Sequence, residues 1–563
     1  MTSNYNKTQI IDLTCKLDLP VQYSKLYDQI SNNINHKYKE LIDNISNKNI
    51  NNVYWWVSSL ASRDNNLSKL YHYLCCIELL IQIKDTILKN DYEIIVDSQE
   101  LKTIISDLLG NDVKIKLDRI HKYKTLFKKI RNITYSIVYS LSFHWAIKLL
   151  YPTNKFNNHN TELILIDNFM LPNHENYDRY YGDMLDYLND QQKMNIYYVY
   201  TLNGYSILNI ISGLRLLKKN KYQHTFKERH LKVTDYIFAY LYILKIKYIN
   251  VGDMYYKNIN IRNLAISDLN SSVSIYTSVR ALLNFRLFFR LKFKKYKITT
   301  AINWFENQPL DKGWNYGMNK YYPNANIHAY IGFLVYCSNF IGPYPTYVEQ
   351  KAEVLPKTFF LPGKKYFNTF KFFNSTLNVE LAPAFRFSYI NNIKRKVGVY
   401  NDILVCLDGA ALKDDLKVIE IIHSLKKDLR NVNFTIKPHP CINLKLISNY
   451  LDRKYCESLN FDESDFSESI SNANILISNG VTSVCIETLL LGIPVIILAK
   501  NNGFTYAPIN NCGKMLSVCY TVDEIMTNIK KYLDRESKMR KINIEDYIQP
   551  FSKRLVKRML TYK

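Results

Sequence analysis

Along this chain of 563 residues, apolar and polar positions follow the patterns typical of strands and of helices. The clearest example is residues 474–498. A short apolar run there is followed by a polar turn, an apolar helical segment and a second apolar run. Gly492 is placed as a residue that ends a helix, and Pro494 prevents that helix from continuing. The pattern therefore predicts a strand, a tight turn, a helix, a short loop and a strand.

The turn in this stretch carries small polar residues. Asn479 and Gly480 lie where the strand must turn, and the hydroxyls of Thr482 and Ser483 lie where the helix begins. Backbone N–H groups and the helix dipole favour an anion there, so the sequence predicts a phosphate site. Glu487 follows Ser483 by four residues, on the same helix face, where a carboxylate is placed to bind ribose hydroxyls. An ordinary capped helix explains the same residues equally well.

Two further predicted strand ends precede this turn. One apolar run ends in the tetrapeptide 437–440, whose two prolines stiffen the backbone around His439. An earlier run ends in Asp408 and Gly409. In open α/β sheets ligands bind at the carboxyl ends of strands. We therefore predict that Lys437 and these neighbours share one nucleotide site with the 479–487 segment.

This ordered set of strand ends resembles the C-terminal, nucleotide-binding domain of GT-B glycosyltransferases. The resemblance is strongest to bacterial enzymes of surface-polysaccharide synthesis, including the sialyltransferase-like group, and it covers about the last third of the chain. His439 and Pro440 match the HP motif of that group, and Thr482 and Ser483 match its pair of hydroxyl residues. On this resemblance the two motifs hold the nucleotide of a CMP-sugar.

Two other positions match the family less fully. Asp408 and Gly409 match only the last two positions of the family's acidic motif, because Leu407 stands where its first acid is expected. Glu487 resembles the ribose-binding acid of GT-B proteins in general, including those that use UDP-sugars.

The resemblance implies an α/β protein with two Rossmann-like domains facing across a cleft, plus extra N-terminal α/β and helical elements. We expect an acceptor-side α/β domain with helical insertions in residues 1–387 and a nucleotide-sugar-binding Rossmann-like domain in residues 396–540. A basic C-terminal helix is expected in residues 541–563. Residues 377–396, with Pro383 and a basic turn, are predicted to link the two domains.

Strand-like runs alternate with helical stretches through the N-terminal part, which predicts a mostly parallel α/β sheet. The predicted strands are residues 52–59, 92–98, 112–117, 161–169, 194–202, 247–253, 296–304, 326–333 and 357–363.

One of these strands ends in polar residues that could take part in catalysis or bind a substrate. Glu306 and Gln308 follow the 296–304 run, Asp311 comes just beyond, and His328 lies in the next predicted strand. Glu306 suits a general base, and the other three suit the hydroxyls of an acceptor. Asp167, at the end of the 161–167 apolar run, is the alternative base. A solvated loop with a capping acid accounts for the same pattern without any chemistry.

Composition adds a strong positive charge, with 74 Lys and Arg against 50 Asp and Glu and a formal net charge of +24. Such a field favours anionic partners. Residues 286–297 interleave cations with aromatics, which suits single-stranded nucleic acid, a membrane surface or a solvated amphipathic face. No nucleic-acid motif accompanies this run, so we favour the membrane surface over nucleic acid. The apolar stretches 132–152 and 235–251 are interrupted by charges or by His144, which predicts helices that do not span a membrane.

The ten cysteines show no metal-ligand spacing, and the polar start of the chain gives no secretory signal, which favours a reducing cytoplasm. We therefore expect an inverting glycosyltransferase without metal or cofactor, cytoplasmic or peripheral at the inner membrane. Its partners would be a nucleotide-sugar donor, with CMP-sugars favoured, and a glycan or lipid-linked glycan acceptor at the inner leaflet, and no nucleic acid. The alternatives are a nucleotide-sugar epimerase of GT-B fold and, on charge alone, a nucleic-acid-binding protein.

Overall fold

The computed structural model describes residues 9–110, 112–118, 122–151, 156, 161–172, 175, 178–334, 336–395, 401–409, 411–439, 447, 459–480, 482–509, 515–534 and 542–561. Within these ranges, parallel strands form three sheets, and a short antiparallel ribbon joins β7 (Tyr255–Tyr256) to β8 (Ile259–Asn260). The two larger sheets, each with helices packed against it, confirm the predicted α/β class with two Rossmann-like domains.

The C-terminal sheet has six strands in the described residues, in the order β15-β14-β13-β16-β17-β18. All neighbouring strands run parallel. The chain builds outward from β13 to one edge and then returns to build from β16 to the other, so the order reverses between β13 and β16. This is a doubly wound sheet, whose crevice lies outside the strand ends at that reversal. The strands are β13 (Asp402–Cys406), β14 (Asn433–Lys437), β15 (Asn460–Phe461), β16 (Ile475–Ser478), β17 (Val495–Leu498) and β18 (Leu516–Cys519).

A second parallel sheet has seven strands in the described part of the chain, in the order β12-β11-β10-β9-β4-β5-β6. Its order reverses between β4 and β9, so it too is doubly wound. The strands are β4 (Glu162–Met170), β5 (Ile196–Leu202), β6 (His224–Phe226), β9 (Lys297–Trp304), β10 (Asn326–Tyr330), β11 (Thr358–Leu361) and β12 (Val379–Leu381).

A smaller sheet at the start of the chain, in the order β1-β2-β3, forms the extra N-terminal α/β element. Its strands are β1 (Gln9–Asp12), β2 (Tyr92–Val96) and β3 (Lys114–Leu117). The helix Val21–Asn33 ties this unit to the C-terminal domain, because Asp28 accepts hydrogen bonds from the Thr505 N–H at 3.0 Å and the Tyr520 hydroxyl at 2.8 Å. One buried apolar cluster runs from this unit into the C-terminal domain.

The helices fill the connections between strands. In the N-terminal half they are Val21–Asn33, Asn35–Lys48, Val53–Trp56, Ser59–Ser62, Leu70–Gln82, Lys84–Lys89, Gln99–Leu109, Lys122–Leu150, Asp190–Lys193, Ile210–Leu217, Lys227–His230, Val233–Tyr240, Tyr242–Lys245, Arg262–Leu269 and Ser272–Phe293. The later helices are Pro309–Tyr321, Tyr347–Lys351, Phe367–Phe370, Leu412–Asp428, Phe466–Ser471, Ser483–Leu490, Val522–Leu533 and Lys553–Met559. Throughout the described ranges, every helix falls short of the length or apolar content that crossing a membrane requires.

Two predicted strands are wrong. Residues 52–59 form the helix Val53–Trp56 and the start of the next helix, because the Asn52 side chain caps the first and both tryptophans are buried. A short fully buried apolar run has no periodicity that separates strand from helix. Residues 247–253 contain the end of a 3-10 turn, Ile246–Tyr248, followed by irregular backbone.

The predicted linker is partly wrong as well. Within residues 377–396, Val379–Leu381 forms β12 and pairs with β11 at the edge of the seven-stranded sheet. The stretch beyond it is buried at Ala382, Ala384 and Phe385. These residues therefore belong to the N-terminal domain, because their backbone and apolar side chains complete its sheet.

The end of the chain returns to the N-terminal domain. In the helix Lys553–Met559, Val556 and Met559 are buried in the same cluster as Ile164 and Tyr198. The carbonyl oxygen of Met559 lies 2.8 Å from Nδ1 of His328 in β10. The predicted C-terminal helix is thus packed against the seven-stranded sheet.

Candidate active site

Three turns meet at the reversal point of the C-terminal sheet, as the sequence predicted. The Asp408 N–H donates to the Asn479 side chain at 3.0 Å, which ties the turn after β13 to the turn after β16. A Cβ at Gly480 would overlap the Asp408 carboxylate, and one at Gly409 would lie 2.8 Å from Cβ of His439. Close approach of the three turns therefore requires both glycines. Asn479, Gly480 and Gly409 build the floor of the site.

The helix Ser483–Leu490 starts at this floor. Thr482 is its N-cap residue and accepts from the Val484 N–H at 3.4 Å. Thr482, Ser483 and Val484 all line a cavity of about 460 Å³, which we call the switch-point cavity. Its volume is within the usual range for a small-molecule site. An anion at this helix start would meet unsatisfied N–H groups and the positive end of the helix dipole.

Cationic and imidazole side chains surround the same cavity. Lys437 and His439 reach it from the end of β14, as predicted, and Lys437 also donates to the Ser464 carbonyl. Arg179 and Arg386 reach it from the N-terminal domain. Burial and then Arg179 lower the pKa of His439, and the same two causes lower the pKa of Arg386. The cavity thus brings three cations and His439 to the helix start, beside the acids Glu463, Asp465 and Glu487.

Glu487 lines the switch-point cavity one helical turn below Ser483, as the four-residue spacing predicted. It is buried and accepts a hydrogen bond from the Tyr389 hydroxyl. Burial raises the pKa of Glu487 to about 7, against the hydrogen bond from Tyr389 and the charge of Arg386. Its carboxylate is therefore held in place by Tyr389 at the edge of the cavity.

A second cavity of about 350 Å³ adjoins the first, and we call it the carboxylate cavity. Ser483 lines both cavities. The second is also lined by Asp64, Asn66, Glu306, Gln308, Phe333, Phe340, Pro343, Asp408, Lys500 and Tyr506. Lys500 lies 3.4 Å from an oxygen of Asp408 and 3.3 Å from one of Asp414. Asp408 is thus paired with a cation on the C-terminal wall.

Two carboxylates form the N-terminal wall of the carboxylate cavity. The Gln308 side-chain amide donates to Glu306 at 3.1 Å and to Asp64 at 3.3 Å, so it bridges them. Glu306 also accepts from the Trp304 indole at 2.8 Å. Burial raises the pKa of Glu306, and burial with the nearby Glu306 charge raises the pKa of Asp64 to about 6. Asp311 caps the next helix and accepts from the N–H groups of Glu306 and Gln308, each at 2.9 Å.

A buried ion network sets the backbone between these groups. Asn307 has a φ of +60°, and its amide donates to the Gly342 carbonyl at 2.9 Å. The same amide lies 3.3 Å from Glu349, which accepts from Arg63 at 3.1 Å and Lys312 at 2.5 Å. Burial alone would raise the pKa of Glu349, but Arg63 and Lys312 outweigh it and hold that pKa at about 2. The network fixes the neighbours of both Asp64 and Glu306.

Several predicted site residues lie elsewhere. Asp167 lies inside β4, which continues to Met170, and burial raises its pKa to about 7 despite nearby Lys227 and Arg280. His328 is buried in β10 against the C-terminal helix, and Asp311 is used as a cap, so neither lines either cavity. Pro440 lies outside the described residues. Within the described ranges, no three His, Cys, Asp or Glu side chains are grouped as metal ligands.

Sequence reasoning missed Asp64, Arg179, Arg386, Tyr389 and Lys500. None of these residues lies in the motifs at the three predicted strand ends. Arg386 carried the nearest signal, since it lies in the predicted linker, where a residue can reach a cleft between domains. Asp64 and Arg179 carried no local signal.

Comparison with known proteins gives structural neighbours only. No protein-family model matches the sequence, and a search of curated proteins gives no match. Among solved structures, the chain is similar to UDP-GlcNAc 2-epimerase of Methanocaldococcus jannaschii, with 13% identity and a TM-score of 0.41 over 72% of this chain and 100% of that one. The corresponding enzyme of Neisseria meningitidis gives 13% identity and a TM-score of 0.40, over 71% and 99%. A trehalose 6-phosphate synthase of Burkholderia multivorans gives 7% and 0.37, over 71% and 94%.

Proposed function

We propose that this protein is an inverting, metal-independent glycosyltransferase that moves a sugar from a nucleotide-sugar to a glycan or lipid-linked glycan acceptor. One observation carries the proposal: a cavity lined by three cations and a helix start adjoins a cavity lined by three carboxylates, and Ser483 lines both. The first suits a nucleotide phosphate, and the second suits the acceptor hydroxyl. The sugar would lie where the cavities meet.

The donor would lie in the switch-point cavity. Its phosphate would accept from the N–H groups at the start of the helix Ser483–Leu490 and from the hydroxyls of Thr482 and Ser483. Glu487, held by Tyr389, would accept from the ribose hydroxyls. The HP and hydroxyl-pair resemblance favours a CMP-sugar, and Glu487 alone would serve a UDP-sugar equally well.

The chemical step needs one base and a stabilised leaving group. The acceptor oxygen would attack the anomeric carbon from the face opposite the phosphate, so that a new C–O bond forms as the sugar–phosphate C–O bond breaks. Glu306 would take the acceptor proton. The negative charge that remains on the phosphate would be stabilised by Arg386, Lys437 and the helix dipole in a partly dehydrated cavity.

A specific feature also supports epimerisation of a nucleotide-sugar as a second candidate. Asp64 and Glu306 lie on one wall and are bridged by Gln308, at 3.3 and 3.1 Å. Two neighbouring carboxyl groups suit removal of a proton from a sugar carbon and return of a proton to it. That reaction would use the same nucleotide site and no acceptor.

A donor screen separates the two functions. The purified protein is incubated with CMP-sugars and UDP-sugars, with and without a mixed glycan acceptor, and nucleotide release and sugar configuration are measured. A transferase releases nucleotide faster with acceptor and forms a glycoside of inverted configuration. An epimerase changes the sugar without acceptor. The proposed function is contradicted if neither reaction occurs with any donor and if CMP and UDP give no thermal stabilisation.

A further inference from the structure

The long helix Lys122–Leu150 leaves a stripe of apolar side chains exposed. Ile130, Val138, Trp145 and Leu149 are 55%, 50%, 60% and 78% exposed. Their spacings of eight, seven and four residues place them along one helix face. Scattered exposed apolar residues are normal on a protein surface, but an aligned row of large ones indicates a contact surface.

A second stripe lies on the neighbouring segment that begins with the helix Val233–Tyr240. Ile237, Leu241, Leu244 and Tyr248 are 57%, 39%, 61% and 62% exposed. Their spacings of four, three and four residues again keep them on one side of a helical segment.

The two stripes are adjacent. The Tyr240 hydroxyl lies 2.9 Å from the Ser136 hydroxyl and 3.1 Å from that of Ser140. The rings of His144 and Tyr236 lie 5.0 Å apart. A mostly apolar cavity of about 270 Å³ opens between the two segments and the start of the helix Ser272–Phe293. Together the stripes and this cavity form one surface, which we call the apolar face.

The charges on the two segments that carry the apolar face are almost all positive. Residues 122–150 contain no Asp or Glu, and residues 232–250 contain only Asp235. Asp235 is buried and bound by Arg286 and Arg290, each at 2.7 Å. Arg286 and Arg290, the first two cations of the 286–297 run, are thus paired internally.

Exposed and half-buried cations border the two stripes. Lys148 lies between Trp145 and Leu149 in the sequence. Burial and the charges of Arg229, Lys148 and Lys232 lower the pKa of Lys294, so these four cations lie close to one another. Lys245 and Lys247 lie 5.1 and 5.0 Å from the ring centre of Tyr248.

We propose that the apolar face docks on an anionic phospholipid bilayer. Its aromatic and aliphatic side chains would enter the boundary between headgroups and acyl chains, while the bordering lysines meet lipid phosphates. Charge favours this occupant over a second copy of the chain, because two such faces would place cations against cations. The docking stands independently of the reaction proposed above.

Vesicle co-sedimentation tests the docking with the full chain. The wild-type protein is expected to bind vesicles of phosphatidylcholine mixed with phosphatidylglycerol, to bind pure phosphatidylcholine weakly, and to lose binding at high salt. In the double variant Trp145→Ser/Leu149→Ser, the partition coefficient between vesicles and solution is expected to fall at least about tenfold. The reason is that the variant lacks two apolar side chains that would be buried in the lipid. The control Leu88→Ser/Tyr347→Ser removes two similarly exposed apolar side chains on the helices Lys84–Lys89 and Tyr347–Lys351, which are not part of the face, and should bind like wild type.

Three outcomes would overturn the docking. They are no binding of wild type to the anionic vesicles, equal binding by the Trp145→Ser/Leu149→Ser and control variants, and a dimer in sedimentation velocity that the Trp145→Ser/Leu149→Ser variant abolishes. The last result would assign the face to a second copy. Unchanged circular dichroism and melting temperature of the variants show that a loss of binding does not come from unfolding.

Discussion

The two domains supply the two halves of the candidate site in different ways. In the C-terminal domain, the groups that line the switch-point cavity all lie within residues 402–498, and the turns after β13, β14 and β16 meet. In the N-terminal domain, the contributors Asp64, Arg179, Glu306 and Arg386 come from distant parts of the chain. The three C-terminal turns and Glu306 follow the carboxyl ends of strands, where a doubly wound sheet leaves a crevice, whereas Asp64 follows the helix Ser59–Ser62.

This difference shows which kind of site can be predicted from a local sequence pattern. A phosphate cradle needs backbone N–H groups and a helix start, which a short segment provides by itself. A base and an acceptor surface need only one carboxylate in the right place, and any loop can provide it. We therefore expect substitutions in the two halves to separate into effects on chemistry and effects on donor binding.

The largest effect is expected at Glu306. The Glu306→Gln variant keeps the shape and the Trp304 hydrogen bond but loses the base, so turnover should fall by roughly 100- to 10,000-fold while donor affinity is retained. Steady-state kinetics and calorimetry with donor measure the two quantities. Asp167→Asn is the matched control, because Asp167 is also a buried acid in the same domain but lies inside β4. Near-normal turnover in Glu306→Gln with collapse in Asp167→Asn would transfer the role to Asp167.

The next effect concerns the helix start. The double variant Thr482→Ala/Ser483→Ala should lose roughly 1.5–3 kcal/mol of nucleotide binding, because hydrogen bonds to a charged group are removed. Thr521→Ala is the control, since Thr521 caps the helix Val522–Leu533 in the same way, accepting from the Glu524 N–H at 3.2 Å. Each lost cap costs about 1 kcal/mol of stability. If nucleotide affinity falls equally in both, the helix start of Ser483–Leu490 is only structural.

A smaller effect is expected at Glu487, on the pH dependence of the stability of the folded protein. Burial raises the folded pKa of Glu487 from 4.5 to about 7, so the neutral form is favoured in the folded protein. Its contribution is full below the unfolded pKa and is lost as pH rises through about 7, by on the order of 3 kcal/mol. Glu487→Gln should therefore destabilise less, relative to wild type, at pH 8 than at pH 5. Thermal melts without nucleotide at both pH values measure this, and a pH-independent difference would contradict it.

The smallest effect is expected at Asp64, the partner of Glu306. Burial and the Glu306 charge raise the pKa of Asp64 to about 6, and burial raises the pKa of Glu306, so the wild-type rate should fall on the acid side as Glu306 becomes protonated. Asp64→Asn removes a negative charge beside Glu306 and should move this acid limb to lower pH, with less than about a tenfold change at pH 7. The pH profile of kcat/KM checks it. An unmoved limb would mean that Asp64 does not influence the base.

Much of the fold followed from the sequence. Apolar runs bounded by turn residues predicted seven of the strands in the two N-terminal sheets. The same signal failed at residues 52–59, where two buried tryptophans made a helix look like a strand. It failed again at residues 377–396, because an edge strand with few apolar residues resembles a linker until its partner strand β11 is known.

The sequence by itself determined the strand ends at 408–409 and 437–439 and the strand-turn-helix unit around 479–487, because capping, glycine placement and apolar runs act between residues a few positions apart. Only the tertiary structure decided that Asp64 joins Glu306, that Arg179 and Arg386 face His439, and that Asp167 lies away from the cavities. Those relations depend on how distant segments pack around a shared core. A loop carries no local trace of which residues it will meet there, because burial and charge pairing arise only once the sheets have assembled.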